Sequence, residues 1–198
     1  DRPNVFGTLT PSTRYLVGPF EAAGKVVKTM MYVYEAALLT TSMCEVVPSL
    51  SSQYNVSIDE NNSHQLPPTP AREVIRNVLL PIKDNPPDLI IGCVYKAACR
   101  MFLEEIAAME IEFKSAMFST CGADDFDIVG RAAEYAVALT PWLPSFPLTS
   151  EVTGRYNPDF TSLYESKYAE TPNYQGVSAQ MSLMAYVEAI EKTGSTDP

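Results

Sequence analysis

Short apolar runs alternate with stretches of helical periodicity along the first part of the chain. Residues 28–34 form an apolar run with β-prone side chains and predict a first strand. Apolar residues recur at spacings of three and four over residues 35–53, which predicts an amphipathic helix that Pro48 kinks or ends early. A weak strand is predicted at residues 55–59, and the polar, proline-rich stretch 60–70 is predicted to be a loop.

The same alternation continues to residue 140. Thr69 is expected to cap a helix that has Pro70 at its first position and ends near residue 84. Three further strands and the helices between them follow, at strand 88–94, helix 97–109, strand 115–121, helix 125–134 and strand 135–140. Because strands alternate with helices, the sequence predicts right-handed βαβ units and a mostly parallel, doubly wound α/β sheet.

The pattern changes after Trp142, where a proline-rich loop leads into two helices. Asn157 is expected to cap the first, with Pro158 at its first helical position. Its inner side is predicted to carry Phe160, Leu163, Tyr164 and Tyr168. The second helix is predicted at residues 175–193 and is closed by Gly194.

One predicted strand passes through a glycine almost directly into a helix, in the run Asp88-Leu-Ile-Ile-Gly-Cys-Val-Tyr-Lys. The end of a parallel strand presents loop residues and free backbone N–H groups at the edge where open α/β sheets bind small molecules. We therefore expect Tyr95, at the end of this strand, to line a ligand crevice.

Charge and hydropathy exclude several classes of partner. The 198 residues carry a formal net charge of −10, which argues against a nucleic-acid surface and against anionic membranes. The longest apolar runs are far shorter than the roughly 20 residues that a membrane-spanning helix requires. We therefore expect no nucleic-acid partner and no membrane insertion by this segment.

The cysteines and two glycosylation motifs bear on the compartment. The four cysteines lack zinc-finger spacing, so no metal site is expected. One reading makes all four small buried hydrophobes; if the domain is extracellular, Cys99 near a helix start and Cys121 at a strand end could bridge. Asn55-Val-Ser and Asn61-Asn-Ser match the acceptor pattern for N-glycans and would suit a secreted protein.

Sequence motifs for catalysis and cofactor binding are absent. The chain has no glycine-rich dinucleotide or phosphate-binding motif and no Gly-x-Ser-x-Gly. The only histidine, His64, falls in the predicted loop, and the adjacent Glu104 and Glu105 point to different faces of a helix. We therefore expect a protein that is not an enzyme and needs no cofactor.

Several segments, taken in order, resemble the second lobe of the type I periplasmic solute-binding proteins and the related receptor ligand-binding regions. They are Asn4-Val-Phe-Gly-Thr-Leu-Thr-Pro-Ser, Asn85-Pro-Pro-Asp-Leu-Ile-Ile-Gly-Cys-Val-Tyr, the stretch Phe160 to Tyr174, and Tyr186-Val-Glu-Ala-Ile-Glu-Lys-Thr-Gly-Ser-Thr-Asp. The resemblance implies a flavodoxin-like strand order 2-1-3-4-5 in a single α/β lobe over residues 1–198. Residues 1–150 would hold the sheet and its helices, and residues 151–198 would return toward a first lobe upstream.

Carried over position by position, the resemblance implies a ligand edge at the ends of three strands. Its residues would be Tyr34, Glu35, Tyr95, Lys96, Thr120, Cys121, Gly122 and Asp124. Trp142 lies in the proline-rich loop after the last strand, a position from which it could form a wall of the crevice. Alternatively, the two tyrosines pack half-buried, Asp124 and Asp125 cap a helix, and Trp142 covers the core. The chain departs from the family at Tyr135, where a small glycine is usual, and at Cys93 and Cys121.

The resemblance implies a binding module outside the cell membrane, extracellular or periplasmic. Its ligand would be a small polar molecule such as an amino acid, an amide or a urea-like compound, held by clamshell closure against the upstream lobe. A membrane transporter or a receptor would be the further partner. Two alternatives stay open: an intracellular flavodoxin-like signalling or nucleotide-binding domain, and a structural interaction domain that has lost its ligand.

Overall fold

The computed structural model contains a parallel six-stranded sheet and describes residues 9–151 and 154–196 and, at residues 123 and 124, the backbone alone. The strands are β1 Thr29–Glu35, β2 Ser57–Ile58, β3 His64–Leu66, β4 Leu89–Cys93, β5 Ser115–Phe118 and β6 Ala136–Ala138. Their order is β2-β1-β4-β5-β6, with β3 also paired to β1, and every pair is parallel. The predicted doubly wound α/β fold is confirmed.

The second strand of the predicted order is split into two pieces. β2 pairs with the start of β1 and β3 with its end, so together they form one sheet edge beside β1. The strand order 2-1-3-4-5 therefore holds with β2 and β3 as one position. The prediction of a loop over residues 60–70 is wrong for the three residues of β3. A strand this short with one apolar residue, Leu66, shows no alternation of apolar and polar positions that sequence analysis could detect.

Eight α-helices are present among the described residues, and several begin or end differently from the prediction. They are α1 Val17–Ala23, α2 Leu38–Cys44, α3 Val47–Tyr54, α4 Arg72–Leu79, α5 Lys96–Ala108, α6 Ala123–Val129, α7 Asn157–Tyr168 and α8 Tyr174–Thr193. The helix predicted at 35–53 is two helices, with Pro48 in the first turn of the second. Thr69 does not cap α4, which starts after Ala71, because Thr69 adopts a left-handed φ of 49°.

Each face of the sheet carries its own apolar core. On one face, Ile90 and Phe118 pack with Phe102 and other side chains of α4 and α5. On the other, Ile91 and Met117 pack with side chains of α1, α2 and α3. Because successive strand residues point to opposite faces and both faces are covered, the strands are apolar throughout rather than alternating.

Gly92 of β4 leaves room for the aromatic ring of Phe118 on the neighbouring strand β5. A Cβ atom at this position would lie 2.4 Å from Cδ1 of Phe118, far inside van der Waals contact. The ring of Phe118 therefore lies over the backbone of β4, where it also approaches Phe102 with a 5.9 Å centroid separation. Packing therefore requires the glycine in β4.

A buried carboxylate joins the helices of one face. Glu105 of α5 accepts hydrogen bonds from Nε of Arg76 at 2.8 Å and Nη1 of Arg72 at 2.9 Å, both from α4. These hydrogen bonds, that from Arg76 first, hold the pKa of Glu105 below its ordinary value although burial opposes them.

The turn into β6 contains an unusual backbone conformation at Tyr135. Its φ is 64°, in the left-handed region that glycine adopts without strain. The carbonyl of Tyr135 accepts from the N–H of Ala116 at 3.2 Å and from Oγ of Ser115 at 3.2 Å, so sheet pairing holds this conformation. The position is the one where the family resemblance leads us to expect glycine.

The chain divides into two units, one of residues 11–139 and another that contains the described residues from Thr140 onward. In the second unit, α8 ends before the left-handed Gly194, as predicted. The prediction that Asn157 caps α7 is wrong, because Tyr156 holds the cap position and Asn157 is the first helical residue. The predicted inner face of α7 is only partly right, because Leu163 and Tyr168 are exposed and Thr161 is the buried residue.

Candidate functional site

Seven of the predicted ligand residues lie at the ends of three adjacent parallel strands. Tyr34 and Glu35 end β1, Tyr95 and Lys96 follow β4, and residues 120–122 follow β5. The ends of parallel strands share one edge of the sheet, so the structure brings these residues together. We call this surface the carboxyl edge.

Glu35 is buried at this edge and supports it from within. Its side chain is 1% exposed, Oε1 accepts from the N–H of Tyr95 at 2.6 Å, and Oε2 accepts from the N–H of Thr69 at 3.1 Å. Both carboxylate oxygens are thus engaged by backbone N–H groups away from solvent. The carboxylate instead joins three segments and fixes the backbone of Tyr95.

The two tyrosines differ in how much they present to solvent. Tyr95 is 40% exposed and stands immediately before α5, with its backbone held by Glu35. The ring of Tyr34 is partly buried and stacks on Tyr32, with centroids 6.2 Å apart and planes 13° apart. Tyr95 is thus the more available of the two for contact with a ligand.

Lys96 is paired with a buried carboxylate that the sequence indicated only as a cap. Its Nζ lies 3.2 Å from Oδ1 of Asp125, and Nε of Arg100 donates to the same oxygen at 2.7 Å. Oδ2 of Asp125 accepts from the N–H of Gly122 at 2.9 Å, so Asp125 does cap α6. Burial raises the pKa of Asp125, but the hydrogen bonds from Gly122, Arg100 and Lys96 together bring it below its ordinary value.

The residues after β5 are also engaged within the chain. Oγ1 of Thr120 donates to the carbonyl of Val94 at 2.6 Å, which ties this segment to the end of β4. Cys121 is buried and bonded to Cys99, so it presents no free thiol at this edge. Gly122 contributes its N–H to Asp125. The side chain of Asp124 lies outside the described residues.

Two disulfides flank the end of β4. Cys99 of α5 is joined to Cys121, with Cα atoms 6.2 Å apart, and Cys44 of α2 is joined to Cys93, with Cα atoms 6.0 Å apart. The second bridge was not anticipated, because its partners are 49 residues apart and only the packing of α2 against β4 brings them together. No free cysteine is found in the described part of the chain.

Trp142 belongs to the other unit, where its side chain contacts α7. Its Nε1 donates to Oδ1 of Asn157 at 3.0 Å, and its ring meets that of Phe160 edge-on at 6.5 Å. Nδ2 of Asn157 donates to the carbonyls of Leu143, Pro144 and Phe146. The side chain of Asn157 therefore holds the proline-rich loop, a role that the sequence did not indicate.

The second unit also contains an apolar groove of about 530 Å³. Residues that line it include Trp142, Leu148, Phe160, Val177, Met181 and Met184. Several apolar side chains of α8 are exposed, namely Met181, Leu183, Tyr186 and Val187.

The remaining predictions concern glycans, metals and membranes. Asn55 and Asn61 are both exposed, Asn55 directly after α3 and Asn61 in the turn before β3. Across residues 9–151 and 154–196, no cluster of three potential metal ligands was found. None of the described helices combines the length and apolar character that crossing a bilayer requires.

Comparison with known proteins agrees with this architecture. A family model described as periplasmic binding protein matches residues 5–198. The fold is similar to that of a leucine-binding protein from Thermotoga maritima, with a TM-score of 0.72 and 13% identity over 96% of this chain and 52% of that one. It is also similar to the solute-binding protein of an ABC transporter from Rhodopseudomonas palustris in complex with 3,4-dihydroxybenzoic acid, with a TM-score of 0.70 and 17% identity over 94% and 50% of the two chains.

An amino acid ABC transporter substrate-binding protein from Pseudomonas fluorescens gives a TM-score of 0.67 at 15% identity, covering 94% of this chain and 48% of that one. The chain spans about half the length of the structures that it matches. These likenesses confirm the fold of a type I periplasmic-binding-protein lobe. Because the family model covers nearly all of the sequence, the chain belongs to the periplasmic binding proteins, a family of solute-binding proteins and not of enzymes.

Proposed function

We propose that this chain is the second lobe of a two-lobed solute-binding protein and that it holds a small molecule at its carboxyl edge. The observation that carries the proposal is the exposed ring of Tyr95 at the end of β4, on a backbone fixed by Glu35. Open α/β sheets bind ligands at this end of their strands. A rigid mount for an aromatic side chain is what a ligand contact requires.

The ligand that we propose is an amino acid, an amide or a urea-like compound, bound by closure of two lobes around it. The names of two similar structures support the amino acid, since one is a leucine-binding protein and the other an amino acid transporter component. Closure would bring the upstream lobe over Tyr95 and exclude water from the ligand. Tyr34 and Thr120 would form the sides of this half-site.

The exposed apolar side of α8 supports an upstream lobe as the partner of the second unit. Leu183 and Val187 lie four residues apart on this helix, and both are exposed. Their burial against another lobe would remove apolar surface from water. We expect Leu183→Glu to lower the Tm of the full-length protein by several degrees and to leave the isolated chain almost unchanged; an equal effect in both would contradict this packing.

We place the protein in the periplasm or the extracellular space, with a membrane transporter or a receptor as its further partner. Two buried disulfides support an oxidising compartment, because the cytosol keeps thiols reduced. The similar structures named for ABC transporters support a transporter partner. Exposure of Asn55 and Asn61 would allow glycans if the protein passes through a eukaryotic secretory pathway.

A thermal-shift screen of the full-length protein tests the proposal. The 20 amino acids, simple amides and urea would be added in turn, and binding to the folded state would raise the Tm. We expect at least one compound to raise the Tm by several degrees and Tyr95→Ala to abolish that rise. Val26→Ser serves as the control, since Val26 is exposed just before β1, at the opposite edge of the sheet. A screen without any shift would leave the interaction domain as the better description.

A further inference from the structure

The only two acceptor patterns for N-glycans in the sequence, Asn55-Val-Ser and Asn61-Asn-Ser, lie along one edge of the sheet. β2 and β3 together form the outer strand on that side, and no strand lies beyond them among residues 9–151 and 154–196. Asn55 stands two residues before β2, and Asn61 stands three residues before β3. An acceptor asparagine therefore closely precedes each piece of this open edge.

The outer strand directs backbone hydrogen-bonding groups away from the sheet. Ser57 and Asp59 donate their N–H groups toward β1, so the N–H and C=O of Ile58 between them point outward. The carbonyl of Leu66 also points toward β1, so the backbone groups of Gln65 point outward as well. Such groups on an outer strand are a template for pairing with a strand of another chain.

The two acceptor side chains are available for modification. Both asparagines are exposed, and neither side-chain amide hydrogen-bonds to another described residue. Asn62 differs from them, because its Nδ2 donates to Oδ2 of Asp59 at 2.7 Å. Asn55 has a left-handed φ of 54°, a conformation that asparagine adopts more readily than most residues do. A bulky substituent on Asn55 or Asn61 therefore breaks no side-chain contact.

The surface around this edge lacks the apolar side chains that mark a protein contact. No large apolar side chain is exposed over residues 40–79, whereas Leu38, Tyr95 and several residues of α8 are exposed. Exposed apolar patches mark the places where partners bind. The edge formed by β2 and β3 therefore has the composition of a surface that faces solvent.

We infer that Asn55 and Asn61 carry N-linked oligosaccharides that cover this open edge and keep it from pairing with another chain. The inference goes beyond the proposed function, because it rests on an extracellular location reached through a secretory pathway and not on any ligand. The two buried disulfides are consistent with the oxidising compartment of that pathway.

The modification is a transfer of an oligosaccharide from a lipid diphosphate, catalysed by the transferase of the secretory pathway. Nδ2 of the asparagine forms a bond to C1 of the first sugar, and the bond from C1 to the diphosphate oxygen breaks. The lipid diphosphate leaves with the electron pair of that bond, and the amide nitrogen gives up one proton to it. No oxidant or reductant is needed.

The size of an oligosaccharide explains how it would protect the edge. A strand that pairs with β2 or β3 must come within about 4.8 Å of it. A hydrated oligosaccharide is larger than this spacing, so one anchored two or three residues away obstructs the approach. The shortness of β2 and β3 and the presence of Pro67 after β3 already weaken pairing there. The effect of the glycans should therefore appear at high protein concentration.

Peptide mass spectrometry of the protein isolated from its source cells tests the modification. N-glycosidase converts a glycosylated asparagine to aspartate, so Asn55 and Asn61 should both be detected as aspartate after digestion. Asn62 starts no acceptor pattern and should remain asparagine, which makes it an internal control. Unmodified asparagine at both acceptor positions would overturn the inference.

Sedimentation velocity of the full-length protein, secreted from eukaryotic cells, tests the protection of the edge. Asn55→Gln combined with Asn61→Gln removes both glycans, and we expect this double variant to associate at high concentrations at which the wild-type protein does not. Adding Gln65→Lys should reverse the association, because a charge on an open edge opposes strand pairing. Asn62→Gln, which keeps both acceptor patterns, should sediment like the wild-type protein.

Two results would contradict protection of the edge. One is equal sedimentation of the double variant and the wild-type protein at every concentration. The other is association that Gln65→Lys does not reverse, since the contact would then lie elsewhere. None of these measurements involves a ligand, so a blank thermal-shift screen would remove the proposed function without affecting this inference.

Discussion

Replacement of Glu35 by glutamine should loosen the carboxyl edge without changing the size of the side chain. In the wild-type protein both carboxylate oxygens accept backbone N–H groups, from Tyr95 at 2.6 Å and from Thr69 at 3.1 Å. Glutamine has one acceptor oxygen, and its amide nitrogen would face the second N–H donor. Glu35→Gln therefore replaces one of these hydrogen bonds by two opposed donors in a buried site.

The expected loss of stability is about 2 kcal/mol. A hydrogen bond to a buried charged group contributes about 1.5–3 kcal/mol, and an unsatisfied buried donor costs about 1–3 kcal/mol. Removal of a buried charge offsets part of this cost. For a chain of this size, the difference corresponds to a fall in Tm of about 4–8 °C.

Urea unfolding followed by far-ultraviolet circular dichroism measures the change, with the disulfides kept oxidised. Glu45→Gln is the matched control, because Glu45 is exposed at the end of α2, and its effect should stay within about 0.5 kcal/mol. Hydrogen exchange should show faster exchange at the amides of Tyr95 and Thr69 in Glu35→Gln. An unchanged free energy of unfolding, or unchanged protection of both amides, would refute this role for Glu35.

Three further predictions concern stability. Asp125 and Glu105 have pKa values in the folded protein below their ordinary values. Both carboxylates therefore add stability above their unfolded pKa of about 4, and this stability is lost as the pH falls through the folded pKa. Acid titration at fixed urea should show that unfolding begins below about pH 4, and a free energy of unfolding that rises on acidification would contradict this. Tyr135→Gly should raise the free energy of unfolding by about 1 kcal/mol, because glycine adopts the left-handed φ of 64° without strain and removal of the exposed ring loses little packing. Urea unfolding measures the change, and a loss of stability would show that the ring contributes packing. Gly92→Ala should cost about 1–3 kcal/mol in the same assay, because the new methyl group would overlap the ring of Phe118, and a neutral effect would show that this ring is free to move.

The fold was predictable because its signals are local and repeated. The apolar runs that became β1, β4 and β5 are covered on both faces, so they stand out from the helical periodicity between them. β3 could not be predicted, because its strand conformation depends on pairing with β1 and its three residues alone carry no strand pattern. The prediction of Thr69 as a helix cap fails because the carboxylate of Glu35, distant in sequence, accepts the N–H of Thr69 while its backbone is left-handed.

The location of the candidate site was predictable, but the availability of its side chains was not. The end of a parallel strand can be identified from sequence, and Tyr95 lies there and is exposed. Whether Glu35 faces a ligand or the protein depends on N–H groups from two other segments, and these meet it only in the folded chain. The bridge between Cys44 and Cys93 has the same cause, since it depends on how α2 lies against β4.

The central claim is that a ligand binds at the ends of β1 and β4, and hydrogen exchange of the full-length protein tests it most directly. Exchange would be compared with and without the compound that gives the largest Tm rise in the screen. We predict slower exchange in residues 36–39 and 95–98 on binding, with no change at Val26 on the opposite edge, and loss of this protection in Tyr95→Ala. Protection confined to other parts of the chain, or identical in Tyr95→Ala, would contradict the account.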